Sequence, residues 1–140
     1  MFGNRSKKNA PIDSLIGAGT LIQGDVHFRG GLRIDGSVEG RVGGLEEETT
    51  QLVLSEQGRV KGEIRARRVL INGEVNGPVF ASESLELMPK ARVQGDVHYQ
   101  RIEVHLGAQV TGRLIHCDDK GAVAEEALRI VDLKAHNQGA

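Results

Sequence analysis

The residues of this chain that could do chemistry are four of its five histidines, a run of cations and a single cysteine. His27 and His98 stand in matching contexts, Gly-Asp-Val-His-Phe28 and Gly-Asp-Val-His-Tyr99, with His105 and His116 further on. Imidazole is a common neutral metal ligand, so a zinc-type site is the first chemistry these residues raise. Arg59, Lys61, Arg65, Arg67 and Arg68 place five cations within ten residues, a density that suits an acidic partner surface or phospholipid. Cys117 has no cysteine partner in the chain, which fits a reducing compartment. No nucleophile paired with a base, no pair of catalytic carboxylates, no P-loop and no dinucleotide turn is present. Catalysis is therefore not expected, and neither is a cofactor or a bound metal. A net charge of −1 with 3% aromatic residues gives nucleic acid little to bind.

The elements that must position these groups are written as a repeat. An apolar-x-Gly-x-apolar unit occurs six times, from Ile22-Gln-Gly-Asp-Val26 to Val110-Thr-Gly-Arg-Leu114, with its glycines at 24, 40, 62, 77, 95 and 112. A second register of apolar pairs runs in step with it: Leu32/Ile34, Leu52/Leu54, Val69/Ile71, Leu85/Leu87 and Ile102/Val104, with Ile16 as a first member. Alternation of this kind belongs to strands with one buried face. The 19 glycines and the Val/Ile bias oppose helix. A period near seventeen residues with three short strands per turn predicts an all-β chain, a single-stranded, three-sided parallel β-helix of about six rungs. The rungs 32–42 and 69–79 are two residues shorter at one corner, and Gly43–Gln51 forms an extra loop. A narrow Val/Ile/Leu core also explains why so few aromatics suffice. In this frame His27 and His98 lie four rungs apart, about 19 Å along the axis, and each follows an inward valine. Both are expected on the solvent-exposed surface, as side chains of the outer face.

Three segments are expected. Residues 1–13 carry no rung and form a leader without fixed structure, 14–116 form the β-helix, and 117–140 form a flexible tail. In that tail Val123, Ala127, Ile130 and Val131 could line a short helix, left free or folded over the last rung. The leader lacks the apolar core of a secretory signal, and no stretch of 18 apolar residues exists, so a cytoplasmic location is expected. Met1 and Phe2 beside Arg5, Lys7 and Lys8 read either as an ordinary leader or as a small apolar anchor with cations that latches onto a membrane surface.

The repeated Val-x-Gly-x-Val units, the Leu-Glu-Leu and Ile-Glu-Val pairs, and a basic leader opening with Met-Phe resemble the bactofilins over roughly residues 14–116. The resemblance implies a right-handed β-helix that self-assembles end to end into filaments without nucleotide. It also implies a cytoskeletal scaffold for partners such as cell-wall enzymes at the cytoplasmic face of the inner membrane, and it favours a membrane role for Met1, Phe2, Arg5, Lys7 and Lys8. The ends of a solenoid expose unpaired backbone groups and apolar core, and no polar cap precedes Leu15. Candidate end contacts are Leu15, Ile16, Leu21, Ile22 and Phe28 on one side. Leu106, Val110, Leu114 and Ile115 are those on the other. Two alternatives stay open. One is a left-handed hexapeptide-repeat acyltransferase or carbonic-anhydrase-like trimer, suggested by Ile16, Ile22, Phe28 and Ile34 at six-residue steps, although position 40 is Gly. The other is a non-polymerising β-helix adaptor capped by its C-terminal segment.

Overall fold

The computed structural model describes residues 12–45 and 49–117, and all regular structure among them is strand. The order is β1 (Ile12–Ile16), β2 (Leu21–Gln23), β3 (Val26–Phe28), β4 (Gly31–Ile34), β5 (Ser37–Glu39), β6 (Val42–Gly44), β7 (Gln51–Leu54), β8 (Arg59–Lys61) and β9 (Ile64–Ile71). It continues with β10 (Glu74–Asn76), β11 (Val79–Leu87), β12 (Arg92–Gln94), β13 (Val97–Val104), β14 (Gln109–Thr111) and β15 (Leu114–His116). Every pairing is parallel and joins residues about one turn apart, so the chain winds as a three-sided β-solenoid of about six turns.

Each side is a column of inward residues in the register the repeat predicts. The first side stacks Ile16, Ile34, Leu54, Ile71, Leu87 and Val104. The second stacks Ile22, Val38, Val60, Val75, Val93 and Val110, and the third Val26, Val42, Ile64, Val79, Val97 and Leu114. Residues of the four middle turns are sealed, whereas Ile22, Val26, Val110 and Leu114 at the two ends are only half-buried. Burying one such side chain fully contributes about 1.5–3 kcal/mol, so each end turn leaves part of its stabilisation unrealised.

The strands β9, β11 and β13 run unbroken from the third side of one turn into the first side of the next. This merges two sides into one nine-stranded sheet beside a six-stranded one, and a register shift between Ala81 and Ser84 absorbs the bend. The corner between first and second sides is tight at Asp35-Gly36 and Asn72-Gly73, where the shorter rungs fall, and wider at Glu56-Gln57, Pro89-Lys90 and Leu106-Gly107. The corner glycines of the repeat are required by close stacking. Gly62 has φ +149°, and a Cβ there would sit 2.1 Å from the carbonyl oxygen of Gly40 in the turn before.

Two boundaries differ from the expectation. Ile12, the first described residue, already pairs with Gly31, so the first rung takes in residues 12 and 13 of the expected leader. The loop after β6 returns through Thr50, which is 1% exposed and packs against Gly44. Its hydroxyl accepts a hydrogen bond from the Arg67 amide at 3.0 Å, and its carbonyl accepts one from the Arg68 amide at 3.1 Å. The re-entry point is thereby built into the stack, and only 46–48 of the expected loop lie outside the described residues. Residues 1–11 and 118–140, which hold the leader candidates Met1, Phe2, Arg5, Lys7 and Lys8 and the expected tail helix, also lie outside them.

Candidate assembly ends

The two terminal turns differ in kind from the four between them. Among the described residues, β1, β2 and β3 at the N-terminal end each have a partner strand on one side only; at the C-terminal end the same holds for Arg101–Val104 of β13, for β14 and for β15. Backbone N–H and C=O groups that point away from the single partner strand lack the ladder bond their equivalents make in every interior turn. The large apolar residues exposed among the described residues cluster in these turns: Ile12, Leu15 (61% exposed) and Leu21 in the first, Val104 and Leu106 (95% exposed) in the last.

The sequence candidates divide accordingly. Leu15, Leu21 and Leu106 are exposed; Ile22, Val110 and Leu114 are half-buried where the core columns end; Ile16, Phe28 and Ile115 are buried within their own turn or beside it. Ile12 and Val104 were not singled out by sequence. Val104 is the second residue of the last apolar pair, and having no later rung to cover it was the available signal. Ile12 was hidden by the basic stretch before it, which carries no rung pattern in the sequence.

The other candidate chemistry is not gathered into a site. The five cations are spread over different sides. Arg59 pairs with Glu74 at 3.3 Å on the second side, Arg65 with Glu63 at 2.8 Å on the third, and Arg68 with Glu83 at 3.0 Å near the bend. Each such exposed or half-exposed pair contributes little, about 0–1 kcal/mol. The histidines separate too. His27 is exposed. His98, expected in solvent, is half-buried, because its ring stacks on Phe80 at 4.2 Å between centroids and Arg65 lies over the same Phe80 ring at 4.1 Å. His116 meets Tyr99 edge-on at 5.8 Å. His105 Nε2 lies 2.8 Å from Glu86 and 3.5 Å from Glu103. These three are the one trio of metal-ligating side chains close together among the described residues, with ligand atoms within 4.8 Å of one another. The hydrogen bond between His105 and Glu86 spans the last two turns with Glu103 beside it, so the three read as a surface cluster joining those turns.

Of the groups with shifted pKa, His98 and Asp96 lie close together and each carries a pH dependence. Burial holds the His98 imidazole below its ordinary 6.5, against a backbone hydrogen bond at Val79 and the nearby Asp96, which both pull it up. A base whose folded pKa is depressed stays neutral in the fold while the unfolded chain takes up a proton. Its contribution is therefore complete above about pH 6.5 and falls as pH drops through that value toward the lower folded pKa. The expected result is a thermal midpoint that declines on acidification below about pH 6.5, with His98→Phe, which keeps the stack, showing a shallower decline. Scanning calorimetry across that window checks it. Asp96 acts at lower pH: the Arg113 hydrogen bond at 2.9 Å holds its carboxyl below the usual 3.8. Its stabilisation is present above that value and lost as pH falls through the lowered pKa.

Among the described residues the solenoid has strands paired on one side only and half-covered core at both ends, and its candidate catalytic groups are scattered. Comparison with known proteins supplies the family. The bactofilin family profile, described as polymer-forming cytoskeletal, matches residues 14–115. Bactofilin BacO of Myxococcus xanthus (strain DK1622) is 32% identical over 121 residues, covering 81% of this chain and 93% of that protein. Bactofilin BacP of the same organism is 28% identical over 102 residues, covering 73% of this chain but only 41% of BacP. A Thermus thermophilus bactofilin, reconstructed by cryo-EM as double helical filaments, aligns with TM-score 0.59 and 33% identity over 71% of this chain and 95% of that one. The chain belongs to the bactofilins, a family of polymer-forming cytoskeletal proteins. The six-residue steps from Ile16 to Ile34 thus reflect the short strands of the first turns rather than a hexapeptide-repeat enzyme.

Proposed function

We propose that this protein is a structural filament subunit, not an enzyme. It assembles end to end without nucleotide, and the polymer then serves as a scaffold for partner proteins such as cell-wall enzymes at the cytoplasmic face of the membrane. The observation that carries the reading is the placement of exposed Leu15, Leu21, Val104 and Leu106 on the two terminal turns, beside strands that are paired on one side only among the described residues. Stacking a second copy on either end completes the ladders and covers the half-buried Ile22, Val110 and Leu114. Repetition of such an end-to-end contact gives an open polymer. Among the described residues no helix is long and apolar enough to cross a membrane, so attachment falls to the leader. Phe2 with Arg5, Lys7 and Lys8 supplies one aromatic anchor and three cations, each cation near an anionic leaflet contributing about 1 kcal/mol. That is weak for one chain and cumulative along a polymer.

The test is co-sedimentation with anionic vesicles after assembly in nucleotide-free buffer. The full chain is expected to sediment alone at high speed and to bind vesicles. A chain lacking residues 2–8 should still assemble but lose at least tenfold in vesicle binding. Vesicle binding unchanged by that deletion would refute the leader's role, and a chain that never sediments would refute assembly and return the capped adaptor to first place.

A further inference from the structure

The histidines named by the sequence do not gather with one another, but one of them meets two carboxylates that the sequence did not single out. Along the outer flank of the first side Leu15, Arg33, Val53, Leu70, Glu86 and Glu103 stand in register. The last two set acid against acid on adjacent strands, and among the described strand pairs no other does. Elsewhere the ladders alternate in sign: Glu74 lies between Arg59 and Arg92, and Glu39 lies beside Lys61. Stacked carboxylates sit one strand spacing apart, about 4.8 Å, and like charges directly opposite destabilise a sheet. Other surface carboxylates pair with a permanent cation, as Glu63 does with Arg65 and Asp96 with Arg113. Glu86 and Glu103 instead share the His105 imidazole, whose Nε2 lies 2.8 Å from one and 3.5 Å from the other. That nitrogen carries at most one N–H, which can donate well to one carboxylate but not to both.

We propose that Glu86, Glu103 and His105 form a binding site for a divalent transition metal, with zinc the ion that fits best. Zinc takes carboxylate oxygen and imidazole nitrogen in four-coordinate sites, and keeps a water where the protein supplies three ligands. Its bonds of about 2.0–2.2 Å set tetrahedral ligand atoms about 3.3 Å apart. The three donor atoms here already lie within 4.8 Å of one another. Their supports are fixed before any ion arrives, as a metal site requires. Glu86 and Glu103 lie within β11 and β13. The His105 backbone is held at both ends, its amide donating to Leu87 at 2.9 Å and its carbonyl accepting from Ala108 at 3.1 Å. A dication neutralises both stacked carboxylates and takes the Nε2 lone pair, which no single N–H can do. Calcium and magnesium prefer oxygen ligands alone and gain little from the imidazole. Bound metal ties the last turn to the one before it. His105 stands between the exposed Val104 and Leu106, so fixing it fixes the segment that carries them.

Binding is read per chain and does not depend on whether subunits stack. The tag-free full chain is titrated with zinc against a chromophoric chelator, beside Glu86→Gln, Glu103→Gln and His105→Gln, with His27→Gln on a distant turn as control. Circular dichroism confirms that each variant is folded. The parent is expected to take up about one zinc per chain at this site, and each site variant to lose about tenfold or more in affinity. His27→Gln should match the parent. Zinc should also raise the thermal midpoint of the parent but not that of Glu86→Gln. Absence of uptake overturns the site. Uptake unchanged in the three site variants puts the metal elsewhere and overturns it as well. Zinc that an equal concentration of calcium displaces marks an exposed acidic patch, which also overturns it.

Discussion

Val110→Arg is expected to abolish sedimentation of the assembled protein while leaving the solenoid folded. Val110 closes the column of Ile22, Val38, Val60, Val75 and Val93, and it is half-buried where Val60, Val75 and Val93 are sealed. In the isolated subunit an arginine at this end can lay its stem on Val93 and carry its guanidinium past the edge into water. Against a stacked copy the same guanidinium would be confined beside apolar core with no acceptor. Several kcal/mol of desolvation then oppose each contact. A loss of about 3 kcal/mol per interface weakens it more than a hundredfold, enough to dissolve a polymer that must repeat the contact. Ile22→Arg at the opposite end of the column should act the same way. Lys61→Glu, on the outer flank of the second side, should leave sedimentation unchanged. Ultracentrifugation with circular dichroism checks all three, and a Val110→Arg protein that sediments like the parent would contradict the placement of the interface.

Gly62→Ala is expected to cost about 2–6 kcal/mol of subunit stability, a large effect for a single added methyl group. Two causes add. The positive φ of +149° disfavours any residue with a Cβ, a penalty of about 1–3 kcal/mol. The new Cβ would also meet the Gly40 carbonyl oxygen at 2.1 Å, and backbone stacked at strand spacing can yield only by opening the turn, another penalty of about 1–3 kcal/mol. Against a typical total of about 5–15 kcal/mol this leaves a marginal subunit. Gly24 separates the two causes. Its φ is +140°, but an added Cβ meets nothing within 4 Å, and among the described residues no turn precedes its own. Gly24→Ala should therefore cost only the backbone penalty in the isolated subunit and should weaken assembly wherever a second copy stacks on that end. Denaturation of both variants in the Val110→Arg background, where assembly does not add to apparent stability, measures the difference.

The architecture was legible because the repeat encodes register directly. Aligning Val38, Val60, Val75, Val93 and Val110 by their trailing glycines reproduces the observed strand partners, and the short corners at Asp35-Gly36 and Asn72-Gly73 fall where the short rungs placed them. A solenoid core is periodic, so local pattern and tertiary contact carry the same information. What did not follow from pattern were features made between side chains of different turns. The stacking of His98 on Phe80, the re-entry of Thr50 beneath the loop, and the exposure of Val104 all depend on which neighbour stands one turn above or below. The end residues were partly legible for the same reason. Leu15, Leu21 and Leu106 stand out because no further rung of the repeat precedes or follows theirs in the sequence, while Ile115 carries the apolar character of a core position but is in register with the outward His98.

The most direct test of the account is negative-stain electron microscopy of the purified full chain in buffer free of nucleotide and metal. End-to-end stacking predicts long, unbranched filaments that are lost in Val110→Arg under the same conditions. A field of small, uniform particles at high protein concentration would contradict the assembly reading and mark the terminal turns as closed surfaces.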